Sequence, residues 1–473
     1  MIIHIIQRGE TLWNIAERYG ISLSEIIAAN SLPDPNRLLI GQSLVIPIAF
    51  RQHIVRAGET LWQIAQKYGV AVGSIVQANH ISDPSKINPG MILNIPPRIH
   101  TVKPGENLSQ ISQIYRISVQ EIAKANRIQN PDLLYPGTRL TIPFVKPVID
   151  VNAYTIHAGE EGGKEVREAG SFLTYVSPFA YIIREDGGLD AINDTAILQA
   201  ALTEQVIPMM SITNFTFRDP GSRLAHAILS NTELQDRLLT TIINTMKEKG
   251  YRGLNIDFEN VFPDDRELYN QFLQRAVDRL HKEGYFVSTA LAPKTSAEQK
   301  GILYEAHDYA AHGRIADFVI LMTYEWGYRL GPPQAISPLN QIKQVLDYAV
   351  TVIPRNKIFM GFQVYARDWL LPHVQGQEAE TFDMQEAIRR AVQHGAVIQY
   401  DRTSQSPFYR YVDEQGRTHE VWFEDARSTR AKFDAVKDYG LRGISYWVLG
   451  YPFPQNWVLL EDNFQVRKFR SIH

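Results

Sequence analysis

Two different periodicities divide the chain. Through the first 144 residues one short pattern recurs three times. Apolar runs such as His4-Ile5-Ile6 and His53-Ile54-Val55 lead into a glycine turn. Behind the turn, Leu12, Ile15, Ala16 and Tyr19 recur at the three- and four-residue spacing of one buried helix face. Gly9-Glu10-Thr11-Leu12 returns as Gly58-Glu59-Thr60-Leu61 and as Gly105-Glu106-Asn107-Leu108. An Asn follows each Gly by 21 positions (Asn30, Asn79, Asn126), and a second Gly follows that Asn by 11 (Gly41, Gly90, Gly137). Ile-Pro closes each copy at Pro47, Pro96 and Pro143. Repetition in one register predicts three copies of a β-α-α-β unit, over 1–48, 51–97 and 99–144. The linkers between them, Ala49–Gln52 and Pro97–Ile99, are short. Tyr19-Gly20 and Tyr68-Gly69 supply a glycine where the first helix should stop, whereas the third copy offers Arg116, a less suitable stop. Ser22 with Glu25, and Ser118 with Glu121, read as capping boxes opening the second helix. Ser43–Pro47, Met91–Pro96 and Thr138–Pro143 read as the second strand.

After Lys146-Pro147 the repeat stops, and apolar β-rich runs alternate with helix-like segments. Strands are expected at Val151–Ile156, Tyr175–Ile183, Val206–Ile212, Gly253–Phe258, Tyr285–Leu291, Phe318–Tyr324, Lys357–Tyr365 and Gly443–Leu449. Eight strands with helices between them predict an α/β fold, a (β/α)8 barrel over 150–473. Phe408-Tyr409-Arg410-Tyr411 and Val421-Trp422-Phe423 alternate like a hairpin inserted before the last strand. The alternative, an open doubly wound sheet, lacks a glycine-rich nucleotide turn.

Composition adds mainly exclusions. A chain of 473 residues with 44% hydrophobic and 21% charged positions is globular in character and too long for one ordinary core. Its net charge of −3 and lack of a Lys/Arg block argue against a nucleic-acid partner. With no cysteine, disulfides and thiolate zinc sites are excluded. The start, MIIHIIQRGETLW, has no basic segment followed by a long apolar one, so a cleavable secretion signal is not expected. No apolar run reaches the ~20 residues that would span a bilayer, so no membrane partner is expected. His157, His307 and His312 fall outside any metal-ligand spacing and read as non-functional. Neither a cofactor nor a metal is expected, and a monomer is.

The chemistry concentrates in Tyr251-Arg252-Gly253-Leu254-Asn255-Ile256-Asp257-Phe258-Glu259-Asn260. Alternate side chains of a strand share a face, so Asn255, Asp257 and Glu259 point into the barrel while Leu254, Ile256 and Phe258 pack outward. Three polar groups stacked inside are unfavourable unless they are used. Two neighbouring carboxylates in a partly dry site cannot both ionise easily, so one should hold a proton near neutrality, as a general acid must. The plainer reading is a buried ion-pair network with Arg252 or Arg367.

The repeats resemble the LysM module, a binder of N-acetylglucosamine-containing glycans. That resemblance implies a shallow groove in which Gly9, Thr11, Gly58, Thr60, Gly105 and Asn107 meet the sugar. Read plainly, the same residues turn the chain and cap a helix. The segment around Asp257 resembles the family 18 glycoside hydrolase strand, Asp-Gly-x-Asp-x-Asp-x-Glu. Gly253, Asp257 and Glu259 match, while Arg252 and Asn255 depart. The resemblance makes Glu259 the proton donor, Asp257 the group that orients the substrate acetamide, and Tyr324 its hydrogen-bond donor. Asn255 keeps the capacity to hydrogen-bond Asp257. Met322-Thr323-Tyr324-Glu325 is similar to the family's Met-x-Tyr-Asp, with Glu325 departing. Tyr365-Ala366-Arg367-Asp368-Trp369 is similar to a run at the end of the seventh strand, and Ser177-Pro178-Phe179 to the second-strand pattern. Trp447, after Tyr446, would lie under the sugar; Asn255, Tyr365 and Glu325 would line the site. Plainer roles are core packing for Tyr324 and Trp447 and strand-end hydrogen bonding for Asn255.

LysM repeats joined to such a barrel resemble the spore-cortex fragment-lytic N-acetylglucosaminidases of endospore-forming bacteria. This implies association with cell wall or spore, a peptidoglycan substrate, and retaining, substrate-assisted hydrolysis. The alternatives are a chitinase and a non-catalytic glycan-binding wall protein. The presence of Glu259 argues against the latter.

Overall fold

The computed structural model describes residues 1–216 and 219–468. Two compact units form: Met1–Leu38 with Ser43–Pro147, and Val148–His473 with Leu39–Gln42.

In the first unit each repeat is a two-stranded antiparallel sheet carrying two short helices. The strands pair Ile2–Ile5 with Ser43–Ile46, Arg51–Ile54 with Ile92–Ile95, and Arg98–Thr101 with Arg139–Ile142. The helices are Leu12–Tyr19 and Leu23–Asn30, Leu61–Tyr68 and Val72–Ala78, Leu108–Tyr115 and Val119–Ala125. Every repeat buries its own aliphatic cluster, such as Leu12, Ile15, Ile26, Leu44 and Ile46 in the first. The repeated Asn ties helix to strand. Asn30 donates to the carbonyls of Ile26 and Val45, each at 2.8 Å, and accepts from the Val45 N–H at 2.7 Å. Asn79 and Asn126 make the same three bonds. A second clamp joins the first strand to the turn: the His4 ring meets Tyr19 Oη at 3.1 Å and Glu10 at 2.8 Å. His53 and His100 repeat it at the same distances.

Both expected capping boxes, Ser22–Glu25 and Ser118–Glu121, form. Two more, Thr60–Gln63 and Asn107–Gln110, open first helices. Arg116 takes the left-handed conformation (φ 56°) that glycine adopts at Gly20 and Gly69.

The second unit is a closed parallel barrel. Its strands, numbered in chain order, are β1 Val148–Thr155, β2 Tyr175–Pro178, β3 Ile207–Thr213, β4 Gly253–Asp257, β5 Phe286–Leu291, β6 Phe318–Leu321, β7 Ile358–Gln363 and β8 Gly443–Trp447. Each pairs with the next, and β8 closes on β1. The interior below the site is packed with Tyr175, Met209, Phe318, Ile320 and Phe359. The Arg442 guanidinium lies over Phe318 at 4.7 Å and pairs with the buried Asp150 at 2.8 Å. This solid floor confines access to the C-terminal mouth.

Six strands end earlier than the apolar pattern suggests, β1 and β4 by one residue, β8 by two, and β2, β6 and β7 as follows. β2 stops at Pro178 and resumes as Tyr181–Ile183, because the Phe179 ring leaves the sheet to pack on Tyr154 and Trp447. β6 ends at Leu321, where Thr323 Oγ1 turns to donate to the Gly361 carbonyl at 2.7 Å. β7 ends at Gln363, whose pairing with Trp447 is the last β7–β8 ladder contact and is closed by the Val364 N–H donating to the Trp447 carbonyl at 3.1 Å. The expected hairpin is present as Ser406–Val412 with Thr418–Trp422. It belongs to a five-stranded antiparallel sheet with Tyr365–Leu371, Glu380–Asp383 and Gln399–Asp401.

Candidate functional site

Strand β4 carries the polar stack. Gly253 is required at its start, where a Cβ would lie 2.1 Å from the Phe286 ring that fills the barrel. Leu254, Ile256 and Phe258 are buried on the outer side, and Phe258 stacks on Tyr269 and Phe272 of the helix Arg266–Lys282. Asn255 faces inward, accepting from Tyr154 Oη (2.9 Å) and Ser211 Oγ (3.3 Å) and donating to Ser288 Oγ (3.0 Å). Its amide is therefore engaged with β1, β3 and β5, and the expected bond to Asp257 is not made. Asp257 is 4% exposed, and its Oδ1 has no hydrogen-bond partner among the described residues. Glu259 stands just past the strand end. Neither carboxylate has a salt-bridge partner among the described residues: Arg252 is exposed to solvent, and Arg367 pairs with Glu325. The ion-pair reading of Asp257 and Glu259 is thus replaced by two uncompensated acids, Asp257 buried and Glu259 half-buried.

Two such neighbouring acids resist ionising together. Burial, reinforced by the charge of Glu325, pushes the Glu259 carboxyl up to about 7. Burial and the Glu259 charge raise Asp257 well above the ordinary carboxylate range. Tyr154 and Tyr324 are shifted upward by burial and then by the Asp257 charge, so both remain phenols and can donate.

The rim is built at the C-terminal ends of β2, β6, β7 and β8. Tyr324 follows β6 and its ring needs Gly361 beneath it, where a Cβ would come within 2.7 Å of Cε1. Glu325 sits in the left-handed region (φ 70°), unfavourable for a side chain with a Cβ. It is held there by both terminal nitrogens of Arg367, at 2.9 and 3.0 Å, and by Tyr365 Oη. Arg367 also donates to the Gly327 carbonyl at 2.5 Å. Tyr365 opens the strand Tyr365–Leu371 of the separate sheet and does not end β7, which corrects the expected placement. Trp447, half-buried at the end of β8, packs edge-on against Phe179 (4.9 Å) and Tyr154 (5.4 Å).

The residues absent from the sequence reading are Tyr154, Ser211, Asn214 and Ser288. Each is a polar group on or just beyond the end of a barrel strand. Asn214, the residue after β3, holds the backbone of Glu259. His307, read from sequence as non-functional, is buried against the same backbone at the Phe258 carbonyl. His312 is buried beside it, its Nδ1 3.0 Å from Thr289 Oγ1. Among the described residues one group, His157, Glu161 and Glu165, brings its ligand atoms within 4.8 Å, so His157 does have carboxylates at helical spacing. Its Nδ1 is bonded to Glu165 at 2.5 Å and Thr155 donates to the same carboxylate at 2.6 Å, so hydrogen bonds within the group account for the cluster.

In the repeats, Gly9, Gly58 and Gly105 all have φ +82°. Thr11, Thr60 and Asn107 accept from the N–H groups of Asn14, Gln63 and Gln110 at 3.2, 3.2 and 2.9 Å. Turning and capping are therefore realised by all six.

The pattern of the glycosyl hydrolases family 18 matches residues 177–451, and that of the LysM domain matches residues 4–47, 53–96 and 100–143. The chain is 45% identical over 473 residues to the cortical fragment-lytic enzyme of Bacillus subtilis (strain 168), covering 99% of each. It is 43% identical to the enzyme of that name from Bacillus cereus, over 68% of this chain and 76% of the other. The crystal structure of the Bacillus megaterium QM B1551 spore cortex-lytic enzyme SleL superposes with a TM-score of 0.79 at 39% identity, covering 99% of both chains. A chitinase from Chromobacterium violaceum shares the barrel alone, with a TM-score of 0.61 at 24% identity over 67% of this chain. With the family pattern over more than half its length and a full-length relative at this identity, the chain belongs to the family 18 glycosyl hydrolases, a glycosidase preceded by three LysM domains.

Proposed function

We propose that the protein hydrolyses N-acetylglucosaminyl bonds of spore-cortex peptidoglycan, with retention at C1 and the substrate's own acetamide as nucleophile. The observation that carries this reading is the pair at the barrel mouth beside Tyr324, Asp257 buried and Glu259 half-buried, without counter-ions among the described residues. Glu259, protonated near neutrality, donates to the leaving glycosidic oxygen. With no second carboxylate offered as a nucleophile to C1, the acetamide carbonyl attacks, giving an oxazolinium ion. Asp257, with a free buried oxygen, accepts the acetamide N–H and opposes the developing positive charge. Tyr324 donates to the acetamide oxygen, and Trp447 with Phe179 forms an apolar floor. Asn255, Tyr365 and Glu325 shape the site around the sugar. Water activated by Glu259, now a base, opens the ring.

The cortex is favoured because the full-length relatives are named for acting on it. Chitin is the second reading; the chitinase likeness extends to the fold only. Turnover by the purified chain on cortex peptidoglycan, measured against chitin, decides between them. Preference for chitin would overturn the proposal.

The LysM domains then hold the enzyme on its polymer through the Gly9, Gly58 and Gly105 turns with Thr11, Thr60 and Asn107. Each site is weak, and three in series gain avidity. Removing residues 1–146 should leave cleavage of small soluble muropeptides within about twofold while co-sedimentation with insoluble sacculi falls at least tenfold. Equal sedimentation would assign the domains another role. The protein acts as a monomer associated with the spore or wall.

The acid must carry its proton, which it does below about pH 7 and loses above. On soluble muropeptides kcat/KM should therefore fall as pH rises through about 7, tending to tenfold per unit beyond. Because Asp257 and Glu259 titrate together, this limb belongs to the pair. A flat profile to pH 9 would contradict the assignment of the acid.

A further inference from the structure

Strand β4 stops at Asp257, and Glu259 lies beyond the last backbone ladder contact, Thr213 with Asp257. A general acid needs its carboxyl fixed within a fraction of an ångström, yet no strand bond fixes the backbone of Glu259. Two side chains take over. The peptide between Phe258 and Glu259 is held at both ends: its carbonyl accepts from His307 Nε2 at 2.9 Å, and its N–H donates to Asn214 Oδ1 at 2.9 Å. The following peptide is held at its carbonyl, which accepts from Asn214 Nδ2 at 2.8 Å. Both peptide planes flanking the Glu259 Cα are thus set from outside, and the chain then turns away through Asn260 at φ 53°.

The holders are themselves fixed. Asn214 and His307 are each 2% exposed. Asn214 Nδ2 also donates to the Gly221 carbonyl at 3.1 Å, and Gly221 has no room for a Cβ, which would fall 1.9 Å from the Asn214 carbonyl oxygen. His307 Nδ1 accepts from the Ala292 N–H at 2.8 Å, so the ring proton sits on Nε2 and points at Phe258. Burial lowers the imidazole to about 4, leaving it neutral near pH 7 and keeping this tautomer.

We infer that Asn214 and His307 are positioning residues for the acid: together they replace the missing strand ladder and set the direction of the Glu259 side chain. The inference rests on the reading of Glu259 as the proton donor. If it holds, losing either clamp misaims the acid without removing sugar contacts, so the damage falls on the chemical step.

The test uses the full chain on soluble muropeptides. Asn214→Ala and His307→Phe should each lower kcat by 10- to 100-fold with KM changed less than threefold. Asn214→Ser, a milder cut, serves if Asn214→Ala does not fold. A purely structural role would shift the melting temperature, or kcat and KM together, without this split. The second readout is non-additivity: in a Glu259→Gln background, Asn214→Ala should reduce the residual turnover less than twofold, because no acid remains to aim. Wild-type kcat in folded Asn214 and His307 variants, or full multiplication of the two effects in the double variant, would overturn the inference. Near-wild-type turnover by Glu259→Gln alone would instead sink the assignment of the acid beneath it.

Discussion

Glu259→Gln should reduce turnover of cortex muropeptides by at least 10²- to 10⁴-fold, the range of general acid catalysis, while leaving glycan binding intact. The amide keeps the shape of the carboxyl and removes the only proton donor proposed for the leaving oxygen. The same substitution should change stability in the opposite sense. The Glu259 carboxyl is raised in the folded chain from 4.5 to about 7, so folding favours its protonated form. Its contribution to stability is complete below about pH 4.5 and is lost as pH rises through about 7. At pH 8 the ionised side chain should weaken the fold by roughly 3 kcal/mol relative to a neutral one. The substituted amide does not ionise, so the inactive variant should be the more stable protein at pH 8 and no more stable at pH 4. Urea unfolding at the two pH values measures this. A stability difference independent of pH would mean that Glu259 is not perturbed by burial, and hydrolysis near the wild-type rate would remove it from the mechanism.

The second large effect is expected at Asp257. Asp257→Ala should lower kcat by about 10²- to 10³-fold with little change in KM, since the lost interaction strengthens only as the oxazolinium charge develops. Two displacements at C1 mean that the wild-type product first appears with the substrate's anomeric configuration, which proton NMR of early product reads directly. A thiazoline analogue of the cyclic intermediate should bind far more tightly than N-acetylglucosamine, and Asp257→Ala should abolish most of that advantage. Inversion at C1, or equal turnover on a substrate lacking the acetamide, would show that the neighbouring group takes no part.

Much of this site is legible in ten residues, because a strand's alternation is a local property. Asn255, Asp257 and Glu259 fall on one side and Leu254, Ile256 and Phe258 on the other before any tertiary contact is known. What the chain does not announce is which distant group meets them. Asn214 reaches Glu259 across 45 positions and His307 reaches Phe258 across 49. Arg367 closes on Glu325 across 42. None of these pairs has a spacing that periodicity could reveal, and His307 looks in sequence like any core histidine. The bond expected between Asn255 and Asp257 fails for the same reason: Tyr154, Ser211 and Ser288 arrive from three other strands and occupy the amide. Pattern alone misplaces Tyr365 because the largely apolar run from Ile358 continues into Val364, whereas the last β7 ladder contact is Gln363 with Trp447 and Tyr365 already pairs in the separate sheet. The N-terminal repeats are the opposite case. Their Asn recurs at one spacing because it binds a strand 15 residues ahead within the same small unit, and a short-range contact leaves a fixed interval in the sequence.

That self-containment reaches beyond folding. The buried members of each aliphatic cluster belong to one repeat, and each repeat closes its own asparagine and histidine clamps. Unequal crossing-over between copies would therefore delete or add a whole unit at an Ile-Pro boundary with every buried cluster intact, losing only peripheral contacts between repeats such as Phe144 on Tyr68 and Arg127 with Glu25. Repeat number can drift in evolution as a matter of gene length, tuned by how firmly the enzyme should grip its polymer, while the barrel's chemistry stays untouched.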